Sequence, residues 1–111
     1  MLGAFDSATM EGMETNLRLR AEIESEAGAL FSELHAHGWV VIYSLYDAKV
    51  FGNWYVDLRR SGADLRLVKD RSQYLIEGPP FGELKAAGLW RAFEDLDEFR
   101  QAVINWARNE C

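Results

Sequence analysis

The sequence predicts an α+β fold: a two-layer sandwich in which an antiparallel sheet of three or four strands, connected as a meander, carries an N-terminal and a C-terminal helix on one face. Three observations predict it. Apolar residues recur at helical spacing towards both ends of the chain, they alternate at strand spacing through its middle, and the connections between the middle segments are short. The 111 residues, 49% hydrophobic and 13% aromatic, are enough for one domain spanning 1–111 with a single core. They are too few for a TIM barrel or a complete two-half dinucleotide-binding domain, and too apolar for a disordered chain.

Residues 1–9 carry no periodic pattern and are expected to be loose. Leu19, Ile23, Ala27, Leu30 and Leu34 then follow one another at intervals of four, four, three and four, which predicts a helix over 13–37. Gly38, after His35 and His37, suits the left-handed residue that closes a helix. Leu17, Leu19, Ala21 and Ile23 also alternate with charged residues, so residues 17–23 fit either the helix or a strand before a shorter helix.

Residues 39–47 (WVVIYSLYD) are β-branched and aromatic and predict the first strand. A turn at Asp47–Lys49 leads to a second strand over 50–60. Val50, Gly52, Trp54, Val56 and Leu58 would share its core face, and Phe51, Asn53, Tyr55, Asp57 and Arg59 its outer face. Residues 61–64 read as a hairpin connection, 65–71 as a third strand, and 73–77 as a fourth strand or a continuation past a bulge. Pro79-Pro80 ends the sheet. Residues 83–87 fit a short helical turn, and 89–93 (LWRAF) a short edge strand. Asp95 and Glu98 form a capping box for the last helix, whose stripe is Leu96, Phe99, Val103 and Trp106.

The sheet face away from the helices would then carry aromatic and charged side chains. Such a face is a partner surface or a dimer interface. Phe51, Asn53, Tyr55, Asp57, Arg59 and Arg66 are the candidate partner-binding residues. Tyr43, Tyr46, Phe51, Tyr55, Tyr74 and Trp90 cannot all be buried in so small a domain, and exposed aromatics of this kind become binding hot spots.

The sequence names no catalytic residues, metal ligands or cofactor. His35 and His37 are two apart on a helix and diverge, with no third ligand to complete a metal site. There is no nucleophile elbow and no phosphate loop. Arg59, Arg60, Arg66, Lys69 and Arg71 flank one hairpin and suggest an anion site or a sheet edge blunted by charge. A small-ligand or enzymatic pocket between sheet and helices, near Trp54, Tyr55 and Arg66, is the remaining alternative.

The net charge of −6 disfavours nucleic acid and favours a basic protein partner. Seven acids and two bases fall in residues 1–38, so the excess sits largely on the expected N-terminal helix, at Glu22, Glu26 and Glu33, with Glu94, Asp95, Asp97 and Glu98 adding to it at the C-terminal helix. No apolar run approaches the roughly 20 residues of a membrane-spanning helix. Residues 1–6 lack the basic and apolar parts of a signal peptide, and the single cysteine, Cys111, can form no internal disulfide. A cytoplasmic protein is expected.

The segment Phe51-Gly-Asn-Trp-Tyr-Val-Asp-Leu58, with Leu65-Arg-Leu-Val-Lys-Asp-Arg-Ser-Gln-Tyr74 and Leu89-Trp-Arg-Ala-Phe93, resembles a pattern in small uncharacterised bacterial α+β proteins. The general plan, over most of the chain, resembles the small acidic immunity proteins of bacterial toxin systems. That resemblance implies a non-catalytic, antitoxin-like inhibitor that covers the active surface of its partner. It assigns no functional residue.

Overall fold

The computed structural model describes residues 18–109. Helix α1 spans Ala21–Ala36, strands β1 to β4 span Val40–Asp47, Asn53–Arg60, Ala63–Asp70 and Gln73–Glu77, and helices α2 and α3 span Phe81–Ala86 and Leu96–Asn109. The strands form one antiparallel sheet in the order β1-β2-β3-β4. This is the expected meander, with α1 and α3 packed on one face of an open sheet and touching each other.

Binary patterning explains the layers. Trp54, Val56 and Leu58 of β2 alternate inward and are each no more than 2% exposed. Across the register Val56 meets Leu67 of β3, and Leu67 meets Ile76 of β4, so one buried row crosses the sheet. Ile23, Leu30, Phe31 and Leu34 of α1 and Phe99, Val103 and Trp106 of α3 close over this face. Each helix stripe is the one its spacing predicts.

Helix α1 starts at Ala21 after an extended Arg20, later than the expected 13–37 helix; the part of that helix before residue 18 lies outside the described residues, as do residues 1–9. Residues 18–23 form no strand. Instead Ser44 on β1 draws this stretch in: its hydroxyl accepts from Arg20 N–H at 3.0 Å and donates to the Arg18 carbonyl. The helix ends in a Schellman motif, with Trp39 N–H bonded to the Leu34 carbonyl and Gly38 N–H to that of His35. Gly38 sits at φ +91°, as its position at the end of the apolar stripe predicts. Helix α2 ends in the same way, through Leu89 to Leu84 and Gly88 to Lys85.

Strand β2 begins at Asn53, three residues later than expected. Val50 and Phe51 are 43% and 74% exposed, so Val50 is not a core residue and Phe51 is not on the strand. The cause is a tight turn: Asn53 N–H bonds the Val50 carbonyl, and Phe51 and Gly52 both take positive φ. The β2–β3 and β3–β4 turns also carry positive φ at both central residues, Ser61-Gly62 and Arg71-Ser72. Two-residue turns of this hand match the strand twist, and they make β4 a separate strand. The expected edge strand at 89–93 is a single bridge, in which Phe93 and Tyr74 exchange two backbone hydrogen bonds at 2.7 and 2.8 Å. At the start of α3, Asp95 accepts the Glu98 N–H at 3.0 Å, which is one half of the expected capping box.

Candidate binding face on the open sheet

The outer sheet face is built from three cross-strand rows, with Arg59 paired to Val40 and Asp64 in a further row at one end. The central row is apolar: Leu45 pairs with Tyr55, Tyr55 with Val68, and Val68 with Leu75. On one side Tyr43 pairs with Asp57, Asp57 with Arg66, and Arg66 with Glu77. On the other lie Asp47, Asn53, Asp70 and Gln73. No helix covers these rows among the described residues, and Tyr43 and Leu45 are 49% and 39% exposed.

Asn53, Tyr55, Asp57 and Arg59 share this face along β2 as expected, and Arg66 joins them from β3. Phe51 stands apart in the β1–β2 turn. Tyr43, Leu45, Val68 and Leu75 complete the face. The sequence read Tyr43 and Leu45 less clearly because β1 carries a bulge between Val41 and Tyr43, which shifts its alternation by one residue.

The charges on the face are largely satisfied. Arg66 grips Asp57 bidentately at 2.6 and 3.1 Å, and its guanidinium stacks on Tyr55 at 3.9 Å. Arg59 grips Asp64 in the same way at 2.7 and 3.1 Å. The Arg59 hydrogen bonds hold the exposed Asp64 carboxyl below its ordinary pKa. Both pairs face a cleft of about 480 Å3 that includes Ile42, Leu65 and Glu77. A second cleft, of about 280 Å3, runs over Leu45, Val50, Asn53, Tyr55, Val68 and Asp70. The Asn53 amide ties the Asp70 carboxylate and the Arg71 N–H to the start of β2, at 3.2 and 2.9 Å.

The five basic residues of the hairpin do not form one anion site. Arg59 and Arg66 are neutralised by their aspartates, Arg60 stacks on Trp39 at the sheet end, Lys69 points to the helix layer, and Arg71 sits in a turn beside Asp70. Trp54 also faces the helices while Tyr55 and Arg66 face away, so these three do not meet in a pocket between the layers. Among the described residues no cluster of three metal-ligating side chains occurs, and no helix is long and apolar enough to cross a membrane.

One polar cluster escaped the sequence reading. Glu26, on α1, turns inward rather than joining an acidic outer face. Its carboxylate accepts from Tyr74 OH at 2.6 Å, from Trp54 Nε1 at 3.2 Å and from Lys69 Nζ at 3.0 Å. Burial alone would raise its pKa, but the Tyr74, Lys69 and Trp54 hydrogen bonds together with the Lys69 charge hold it below the ordinary value. The Tyr74 hydroxyl is pushed well up by burial and by the neighbouring carboxylate. Glu33 and Asp97 share Arg100 at 2.6 and 2.7 Å, which joins α1 to α3. The helix-layer acids are thus partly spent on internal pairs, and they lie on the side of the molecule opposite the aromatic face.

No protein-family model, curated protein or solved structure matches this chain.

Proposed function

We propose that this chain is a non-catalytic binding module that docks a basic partner protein on its open sheet face, in the manner of an immunity protein or antitoxin-like inhibitor. The observation that carries this reading is the uncovered apolar row Leu45–Tyr55–Val68–Leu75 between flanking carboxylates. Asp47 and Asp70 lie on one side of the row and Glu77 on the other, whereas both arginines of the face are already committed to aspartates. An apolar centre with a negative rim fits a partner that presents apolar side chains ringed by lysine or arginine. Net charge −6 would speed the encounter and make it salt-sensitive. Tyr55 is the anchor, held rigid under the Arg66 guanidinium.

Affinity capture from native lysate tests this, with wild-type protein and a Val68→Asp variant shown by circular dichroism to be folded, at low and high salt. The expected result is one stoichiometric basic protein, weakened by salt and lost in the variant. A protein retained equally by Val68→Asp, or recovery of the bait alone, would overturn the reading.

A further inference from the structure

The two edges of the sheet differ. The β4 edge is closed where Phe93 exchanges two backbone hydrogen bonds with Tyr74. The β1 edge has no partner strand among the described residues; the Arg20 N–H and the Arg18 carbonyl bond the Ser44 side chain on the core face. Proteins usually blunt such an edge with lysine, proline or a very short strand. Strand β1 is eight residues long, contains neither lysine nor proline, and carries no charge before Asp47. Its one protective device is the bulge at Ile42, which leaves Tyr43–Asp47 in continuous register with β2.

We propose that the β1 edge pairs with the β1 edge of a second copy of this chain, antiparallel about a two-fold axis at Leu45. In that register Leu45 faces its counterpart, Tyr43 faces Asp47 of the other copy, and Ser44 faces Tyr46. The charge pattern selects this occupant. The edge from Val40 to Tyr46 is neutral, so it offers nothing to the basic partner of the open face, and the register places each Asp47 opposite a tyrosine hydroxyl instead of its own counterpart. Directly opposed residues point to the same side of a sheet, so both helix layers fall on one side and the two open faces merge on the other. The product is a continuous sheet of eight strands that presents two partner-binding faces side by side.

Charge complementation tests the pairing with the full chain. Leu45→Lys and Leu45→Glu are each expected to sediment as monomers, because like charges then oppose one another across the axis, and an equimolar mixture is expected to sediment as a dimer. Wild-type protein should show β1 amides that gain hydrogen-exchange protection as concentration rises. A wild-type chain that stays monomeric up to millimolar concentration would overturn the proposal. So would a mixture that stays monomeric, or a dimer broken by Val68→Asp, which marks face-to-face association. Loss of the lysate partner in the Val68→Asp variant is read separately, so the two readings fail independently.

Discussion

Glu26 is the residue through which α1 grips the sheet. Its carboxylate joins a helix to β2, β3 and β4 at once, and its side chain and that of Lys69 are only 26% and 18% exposed. Glu26→Ala leaves Lys69 and the Tyr74 hydroxyl without their acceptor and is expected to cost about 2–3 kcal/mol in urea denaturation. The acid response follows from the direction of the shift. The folded state holds the Glu26 pKa below the unfolded value, so the carboxylate contributes stability above the ordinary 4.5 and loses it as pH falls through the folded value. Urea midpoints measured between pH of about 6 and about 3 should therefore fall less steeply for Glu26→Gln than for wild type. The neighbours Trp54 and Tyr55 separate core from surface. Trp54→Ala should cost roughly 3–5 kcal/mol, because it empties a fully enclosed site between Phe31 and Tyr74. Tyr55→Ala should cost less than about 1 kcal/mol and act on the partner complex instead. Equal losses in the two variants would contradict the assigned faces.

At the scale of elements, the least ordinary feature is the β3–β4 turn. Arg71 and Ser72 both occupy left-handed backbone, at φ 54° and 70°, where asparagine and glycine are usual. The double variant Arg71→Asn, Ser72→Gly should raise stability by about 1 kcal/mol and shift the thermal midpoint upward, because the same turn forms without the side-chain strain. This turn also explains what was legible in the sequence. The helix stripes and the alternation of Trp54, Val56 and Leu58 could be read because each depends on a local period. The start of β2 could not, since Phe51 takes a conformation that its residue type does not advertise. The candidate face was half legible: β2 supplied Asn53, Tyr55, Asp57 and Arg59, while the bulge in β1 obscured Tyr43 and Leu45. Glu26 was invisible because a glutamate beside an apolar helix stripe reads as solvated. Its partners Trp54, Lys69 and Tyr74 lie 28, 43 and 48 residues away, so only the tertiary fold brings them to it.

Across the whole molecule, stability should be graded from the middle of the sheet outward. Strands β2 and β3 are paired on both sides and lie under the helix layer, whereas α2 is six residues long and buries only Leu84. Native-state hydrogen exchange is expected to give the slowest amides in β2 and β3 and the earliest opening in α2. If α2 exchanges as slowly as the central strands, Trp106 Nε1 on Glu83 at 2.8 Å anchors it more firmly than its size implies. The two covering helices come from opposite ends of the described chain, with the whole meander between them. During synthesis the hairpins can close as they emerge, each joining neighbouring strands, but α3 is the last described element to leave the ribosome. Until it does, the Tyr74 ring lacks Phe99, which stacks on it, and that half of the inner face is without its helix. Nascent chains halted before residue 96 should therefore attract chaperones that bind apolar surface, and release them once α3 has emerged.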